Sequence, residues 1–256
     1  MSASSPQRWC SHVRRVSWSH PEWWALSCCA AAWLLLLSRA VPLSGGMQPL
    51  SHGHSHGHGG HAAATQSMMW TAELFWWLVM IAAMMLPMVV DPIRTTAARS
   101  LWRRRHRAIC GFLIGYVGPW MAFGVGAAVM VSGLRMQTGV GTATATALAF
   151  SSALLWQTTA MKRRAVLACH RTQPIASDGW RADRDCVQYG WFVGRKCLVS
   201  CWALMLACLV AGHGLPAMAC ATAIGWAERH RVRPNERLLY GAIALVALAY
   251  AAMPFL

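Results

Sequence analysis

The stretch that decides the fold is WTAELFWWLVMIAAMMLPMVVD, which runs from Trp70 to Asp91. It is apolar over about 20 residues, and a helix of that length, rising about 1.5 Å per residue, crosses the roughly 30 Å hydrocarbon core of a bilayer. The segment therefore predicts a transmembrane helix. Because Glu73 and Asp91 lie near its two ends, it also places a carboxylate at each side of the membrane.

The same segment concentrates side chains that bind soft metal ions on one helical face. At about 100° per residue, six side chains fall within an arc of about 80°; they are Glu73, Trp77, Met80, Met84, Met88 and Asp91. Thioethers bind soft ions such as Cu(I), and terminal carboxylates could attract a cation or pass it on. The alternative is that the methionines only fill gaps between packed helices.

Composition defines the class of protein. Apolar residues make up 56% of the chain and charged residues only 12%, and the apolar residues form long blocks, as in an integral membrane protein. The net charge of +15 resides in short loops between these blocks, so membrane topology explains it better than nucleic-acid binding does. Several of the ten cysteines lie inside apolar blocks, which favours free thiols.

The apolar blocks predict an all-α, polytopic transmembrane bundle of about seven helices. Their approximate bounds are 24–41, 70–91, 109–132, 140–161, 189–211, 215–227 and 238–256. The first block, preceded by Arg14-Arg15, also fits a signal sequence, but its cleavage site is poor and we retain it as a helix. We divide the chain into residues 1–69, an N-terminal helix with a polar loop, and residues 70–256, a transmembrane metal-binding-like domain.

The distribution of Lys and Arg orients the bundle. Alternate sides of the seven predicted helices carry 21 and 2 of these residues, the two being Arg39 and Arg135. By the positive-inside rule the N-terminus is cytoplasmic and the C-terminus is external. We predict a multi-pass protein of the bacterial inner membrane, in contact with the lipid bilayer. Whether it acts alone or with other membrane proteins as partners stays open at this point.

A histidine-rich tract lies in the first external loop. The sequence SHGHSHGHGGH places five imidazoles on a Gly/Ser backbone, at His52, His54, His56, His58 and His61. Imidazole suits zinc, copper and nickel, and a flexible backbone lets several rings gather on one ion. The alternative is a low-complexity loop that binds divalent ions weakly and has no further role.

A second sulfur-bearing face occurs on the fifth block. On a helix, Cys197, Cys201, Met205 and Cys208 fall within about 80°, and thiols one turn apart can hold a soft ion between them. Buried cysteines also act as small hydrophobic residues, which is the alternative. Cys169-His170 adds a thiol and an imidazole on the cytoplasmic side, either as metal ligands or as ordinary loop residues.

Motifs for common catalytic chemistry are missing from the sequence. It contains no HExxH, GxSxG, Walker or GxGxxG motif, and no carboxylate or histidine pair deep in a helix that would relay protons. We therefore predict a protein that is not an enzyme.

Four segments resemble a bacterial family of predicted metal-binding integral membrane proteins catalogued as a domain of unknown function. They are WLVMIAAMMLP (77–87), FLIGYVGPW (112–120), the 157–169 stretch with Lys162, and GRKCLVSCWALM (194–205). The resemblance covers roughly 70–228 and implies a thiol-rich metal site. Where the family has two further cysteines this chain has Ala165 and Ser200, which leaves Cys169, Cys197 and Cys201.

Together these patterns predict a protein that binds a soft or borderline metal ion, with copper preferred and zinc as the alternative at the histidine tract, for acquisition, buffering or transfer. The candidate ligands are His52, His54, His56, His58, His61, Glu73, Met80, Met84, Met85, Met88, Cys169, Cys197, Cys201, Met205 and Cys208. A non-catalytic assembly partner of another membrane complex is the main alternative. A thiol oxidoreductase is a third, although cysteines one helical turn apart are poorly placed for a disulfide.

Overall fold

The computed structural model describes residues 22–40, 62–230 and 236–252, and every regular element in these ranges is helical. The α-helices are α1 (Trp23–Ala40), α2 (Ala62–Met85), α3 (Val90–Arg99), α4 (Arg105–Thr138), α5 (Thr142–Gln157), α6 (Ala160–Ala168), α7 (Gly179–Val210), α8 (Leu215–His230) and α9 (Glu236–Ala252). Two short 3₁₀ helices, Leu86–Val89 and Trp102–Arg104, precede α3 and α4. The predicted all-α fold class is confirmed for the described residues.

The segment predicted as one helix from Trp70 to Asp91 is interrupted. Its regular part, α2, begins earlier, at Ala62, and ends at Met85, where a 3₁₀ helix containing Pro87 separates it from α3. Proline lacks the amide hydrogen of the helical ladder and its ring crowds the preceding turn, so a change of helical geometry here is expected. The arc that placed Met88 and Asp91 on the face of Met80 therefore does not hold beyond Met85.

Helices α4 and α7 share the most extensive interface in the structure. Glycine makes this possible, because a Cβ at Gly190 would overlap the carbonyl of Phe112 and a Cβ at Gly194 would lie 2.6 Å from the carbonyl oxygen of Tyr116. Small residues that let backbones approach closely are typical of helix packing in membranes. Gly115 of α4 also packs closely against the backbone of α7, whereas Gly126 faces open space.

The remaining helices surround this pair. Trp77 of α2 inserts against Gly124 and donates a 2.9 Å hydrogen bond to the carbonyl of Trp120, which fixes α2 on α4. Trp33 of α1 donates to the carbonyl of Ala83 at 3.1 Å. The α5–α9 contact includes the stacked rings of Phe150 and Tyr250.

Three described segments are long and apolar enough to cross a membrane, Thr71–Arg99, Trp102–Leu134 and Gly179–Val210. Two shorter apolar helices, Trp23–Arg39 and Tyr240–Ala252, fall below that length. Helices α5 and α8 have 16 residues each. At about 1.5 Å per residue they reach about 24 Å, which is less than the hydrocarbon thickness.

Candidate functional site

One cavity brings together sulfur atoms from distant parts of the chain. Its sulfur-bearing lining residues are Met88, Cys169, Cys197 and Cys201. They come from the 3₁₀ helix after α2, from the residue that directly follows α6, and from the middle of α7. Met88 packs its thioether against Gly225 of α8, where a side chain would leave no room for it.

Cys197 is the most connected thiol of the cavity. Its Sγ accepts a hydrogen bond from the hydroxyl of Tyr116 at 3.2 Å and approaches the Sδ of Met85 at 3.9 Å. Met85 is the last residue of α2 and is fully buried, as is Cys197. The end of the methionine-rich segment and the cysteine face of α7 thus meet at these two sulfur atoms.

Cys201 lies one turn further along α7, with its Sγ 3.2 Å from the Oγ of Ser200. Ser200 also lines the cavity and donates to the carbonyl of Cys197 at 2.8 Å. Since the resemblance places an additional family thiol at this position, the serine puts a hydroxyl where the family has sulfur. Ala165, at the other such position, is buried one turn before Cys169.

Cys169 closes the cavity from the end of α6. Its amide nitrogen bonds the carbonyl of Ala165 at 3.1 Å, and its side chain is buried. Burial raises the pKa of the Cys169 thiol to about 11, while the positive charge of nearby Arg229 acts in the opposite direction. The side chain of His170 is exposed, whereas that of Cys169 is buried, so the two residues do not form a dyad.

The sulfur chemistry fits a soft monovalent ion better than a preassembled zinc site. Within the described ranges, no three His, Cys, Asp or Glu side chains lie close enough together to hold a metal ion. Thioethers are additional donors, and two sulfurs bound to one ion at about 2.3 Å each are separated by at most about 4.6 Å. The 3.9 Å between Cys197 and Met85 satisfies that limit, and thiolate with thioether is a donor set that selects Cu(I).

Charged residues form the wall of the cavity on the α8 side. Glu228 and Arg229 line it, and the Nζ of Lys162 lies 2.9 Å from the Oε1 of Glu228. Lys162 is buried and also donates to the Oε1 of Gln157. Arg229 reaches the other way, with its Nη2 3.5 Å from the carbonyl oxygen of Cys169.

Other predicted ligands lie elsewhere. Met80, Met84, Met205 and Cys208 are fully buried but do not line the cavity. Glu73 is half-buried, and Asp91 is exposed, 3.8 Å from Arg94. The histidines of the tract, His52, His54, His56, His58 and His61, lie outside the described residues.

Sequence reasoning missed the polar partners of the thiols. Tyr116 lies in an apolar, glycine-rich block, and Arg229 and Glu228 read as ordinary loop residues at the end of another block. Lys162 is the one polar residue of this group that the sequence pointed to, because it lies at the end of an apolar block and inside the 157–169 stretch that resembles the family. No pattern in the chain shows that these side chains converge.

The fold and the site together define an all-helical protein with several membrane-length helices and a sulfur-lined cavity suited to a soft ion. A family model described as PpoB2, copper chaperone, matches residues 74–253, and the chain belongs to this family. The matched range contains every residue of the cavity and its polar wall. Comparison with curated proteins and with solved structures found no match.

Proposed function

We propose that this protein is a membrane-embedded copper chaperone that binds Cu(I) at the Cys197–Cys201 pair and passes it on by ligand exchange. The observation that carries the proposal is the convergence of Cys169, Cys197, Cys201 and Met88 around one cavity, with the Sδ of Met85 3.9 Å from the Sγ of Cys197. Cu(I) accepts two or three soft ligands. A site with more sulfur atoms than the ion needs allows it to move between donors without being released.

In this proposal the cavity faces the cytoplasm. Cys169 and Arg229 lie next to the basic segments that the positive-inside rule assigns to the cytoplasmic side. The histidine tract and Glu73 then lie outside, where they collect the ion, and Met80, Met84, Met205 and Cys208 form the buried interior between the two ends. The proposed topology has seven spans and a cytoplasmic N-terminus, and the protein lies in the bacterial inner membrane. Its two domains are residues 1–69 and 70–256. Helices α5 and α8 cross by tilting or by local thinning of the bilayer.

Copper binding by the detergent-purified chain tests the proposal. Anaerobic titration with Cu(I) against a chromogenic Cu(I) chelator should give one tightly bound ion per chain with sulfur ligands by X-ray absorption. Changing Cys197 and Cys201 together to serine should abolish this binding. The matched control changes the exposed thiols Cys28 and Cys110 to serine and should leave it intact.

Two outcomes would contradict the proposal. Tight binding that survives loss of both Cys197 and Cys201 would place the site elsewhere, and a further variant without the five tract histidines would show whether they hold the ion. Absence of stoichiometric copper, together with co-isolation of another membrane protein, would instead favour the role of an assembly partner.

A further inference from the structure

Arg229 introduces a permanent positive charge beside the three cavity thiols. It lies in the last turn of α8, lines the cavity with Cys169, Cys197 and Cys201, and is half-buried. The 3.5 Å approach of its Nη2 to the carbonyl of Cys169 holds the side chain over the cavity. A guanidinium group stays protonated in proteins, so this charge is present whether or not an ion is bound.

The other charges of the cavity wall compensate one another. The carboxylate of Glu228 pairs with Lys162 at 2.9 Å, and the side chains of Lys162 and Glu228 are only 4% and 12% exposed. Among the residues that the structure describes, no carboxylate forms an ion pair with Arg229. Arg229 therefore leaves the cavity wall with a net charge of about +1.

This charge matches one metal complex better than another. A Cu(I) ion held by two thiolates carries a net charge of −1, which Arg229 balances. A divalent ion held by the same thiolates is neutral, and the charge of Arg229 then stays uncompensated in a half-buried position, which is unfavourable. In both cases two metal–sulfur bonds form, two S–H bonds break, the protons pass to solvent and no electron is transferred.

We propose that Arg229 is the counter-charge that makes the cavity selective for a monovalent soft ion over a divalent one. The inference rests on the proposed copper site at Cys197 and Cys201 and adds a determinant of its specificity. Arg229 acts through charge and is not a ligand, so its removal should change the preference between ions more than the capacity of the site.

Silver and cadmium provide the probes, because Ag(I) and Cd(II) are both thiophilic and differ in charge. Affinities of the full-length purified protein are measured by competition titration for the wild type, Arg229→Gln, Arg229→Lys and the control Arg99→Gln. Arg99 also donates to a backbone carbonyl, that of Gln173 at 2.7 Å, but does not line the cavity. Thermal unfolding of each variant reports whether the fold is preserved.

We expect Arg229→Gln to weaken Ag(I) binding by about tenfold and to leave Cd(II) binding unchanged or tighter. Tenfold is the lower end of the loss in metal affinity that follows when a group that supports the ligands is removed. Arg229→Lys should keep the wild-type preference, and Arg99→Gln should alter neither affinity. An equal fall in the Ag(I) and Cd(II) affinities would indicate a structural role of Arg229 and would overturn the inference. Unchanged affinities for both ions would overturn it as well, because Arg229 would then not affect the selectivity. If the wild type itself bound no Ag(I) or Cu(I), the copper site and the inference would fail together.

Discussion

The Sγ of Cys197 lies 3.9 Å from the Sδ of Met85, although 112 positions separate the two residues in the chain. This contact joins the end of α2 to the middle of α7 at the cavity. Met85 makes this contact and Met88 of the same segment lines the cavity, whereas Met80 and Met84 do not line it. The proposed ligands of that segment thus lie where its helix changes geometry.

Replacing Met85 tests this distinction. We expect Met85→Leu to weaken Cu(I) binding by about tenfold, roughly 1.4 kcal/mol, because it removes the thioether next to Cys197. Met84→Leu is the matched control, since it makes the same change at the adjacent, equally buried position. Competition titration of both variants gives the comparison. Equal losses would show that the distinction between the two methionines is wrong.

The hydroxyl of Tyr116 should stabilise the metal-bound thiolate of Cys197. Its 3.2 Å hydrogen bond would then reach a charged acceptor, and hydrogen bonds to charged groups contribute about 1.5–3 kcal/mol. We expect Tyr116→Phe to lower Cu(I) affinity by about tenfold or more, as measured by chelator competition. Tyr250→Phe, at a stacked ring outside the cavity, should leave the affinity unchanged. Similar affinities for both variants would exclude this role of Tyr116.

The ion pair of Lys162 and Glu228 should be important for stability because it is buried. Removing one member leaves the other charge unpaired, and such changes cost about 3–5 kcal/mol. We expect Lys162→Met or Glu228→Gln alone to lower the midpoint of thermal unfolding strongly, and the double variant to recover much of the loss. The control is Asp91→Asn, which removes an exposed contact 3.8 Å from Arg94 and leaves Arg94 paired with Glu22 at 2.7 Å; it should cost less than about 1 kcal/mol.

Glycine at position 190 should be required by the α4–α7 interface. A Cβ there overlaps the carbonyl of Phe112, so Gly190→Ala should separate the helices and destabilise the protein by about 1–3 kcal/mol, as overpacking does. Gly126→Ala meets nothing within 4 Å and should be neutral or slightly stabilising, because alanine favours helix. Thermal unfolding distinguishes the two, and a neutral Gly190→Ala would contradict the close packing.

His213 should make stability fall in mild acid. Burial, assisted by the charge of Arg39, lowers the pKa of His213 to about 4, below its usual value of 6.5. The unfolded chain therefore binds the proton first, and the contribution to stability, up to roughly 3 kcal/mol, is complete above about pH 6.5 and is lost as the pH falls toward 4.

The measurement for His213 is the unfolding midpoint between pH 7 and pH 4.5 for the wild type and His213→Asn. Asparagine is chosen because residue 213 has a φ of 61°, which asparagine tolerates. The variant should lose less stability on acidification than the wild type. Parallel pH profiles would show that His213 makes no such contribution.

Much of the architecture was predictable because long apolar helices are encoded locally. Long apolar blocks and the loops between them predicted helices close to α1, α4, α8 and α9, and period-based reasoning placed Cys197 and Cys201 on one face of α7. It failed at Pro87, where one predicted helix became α2, a 3₁₀ helix and α3. A wheel assumes a constant turn angle, and a proline-containing turn does not keep it.

The sequence by itself determined the helical class, the supply of thiols and thioethers, and the charge asymmetry, because each follows from composition and short-range periodicity. Only the tertiary structure decided which of the candidate ligands meet. It brings Met85 and Met88 to Cys197 and Cys201, places Cys169 beside them, and leaves Met80, Met84, Met205 and Cys208 away from the cavity. The physical reason is that contacts between distant segments depend on how closely helices approach. Glycines such as Gly190, Gly194 and Gly225 fix that approach through the neighbours they meet in space.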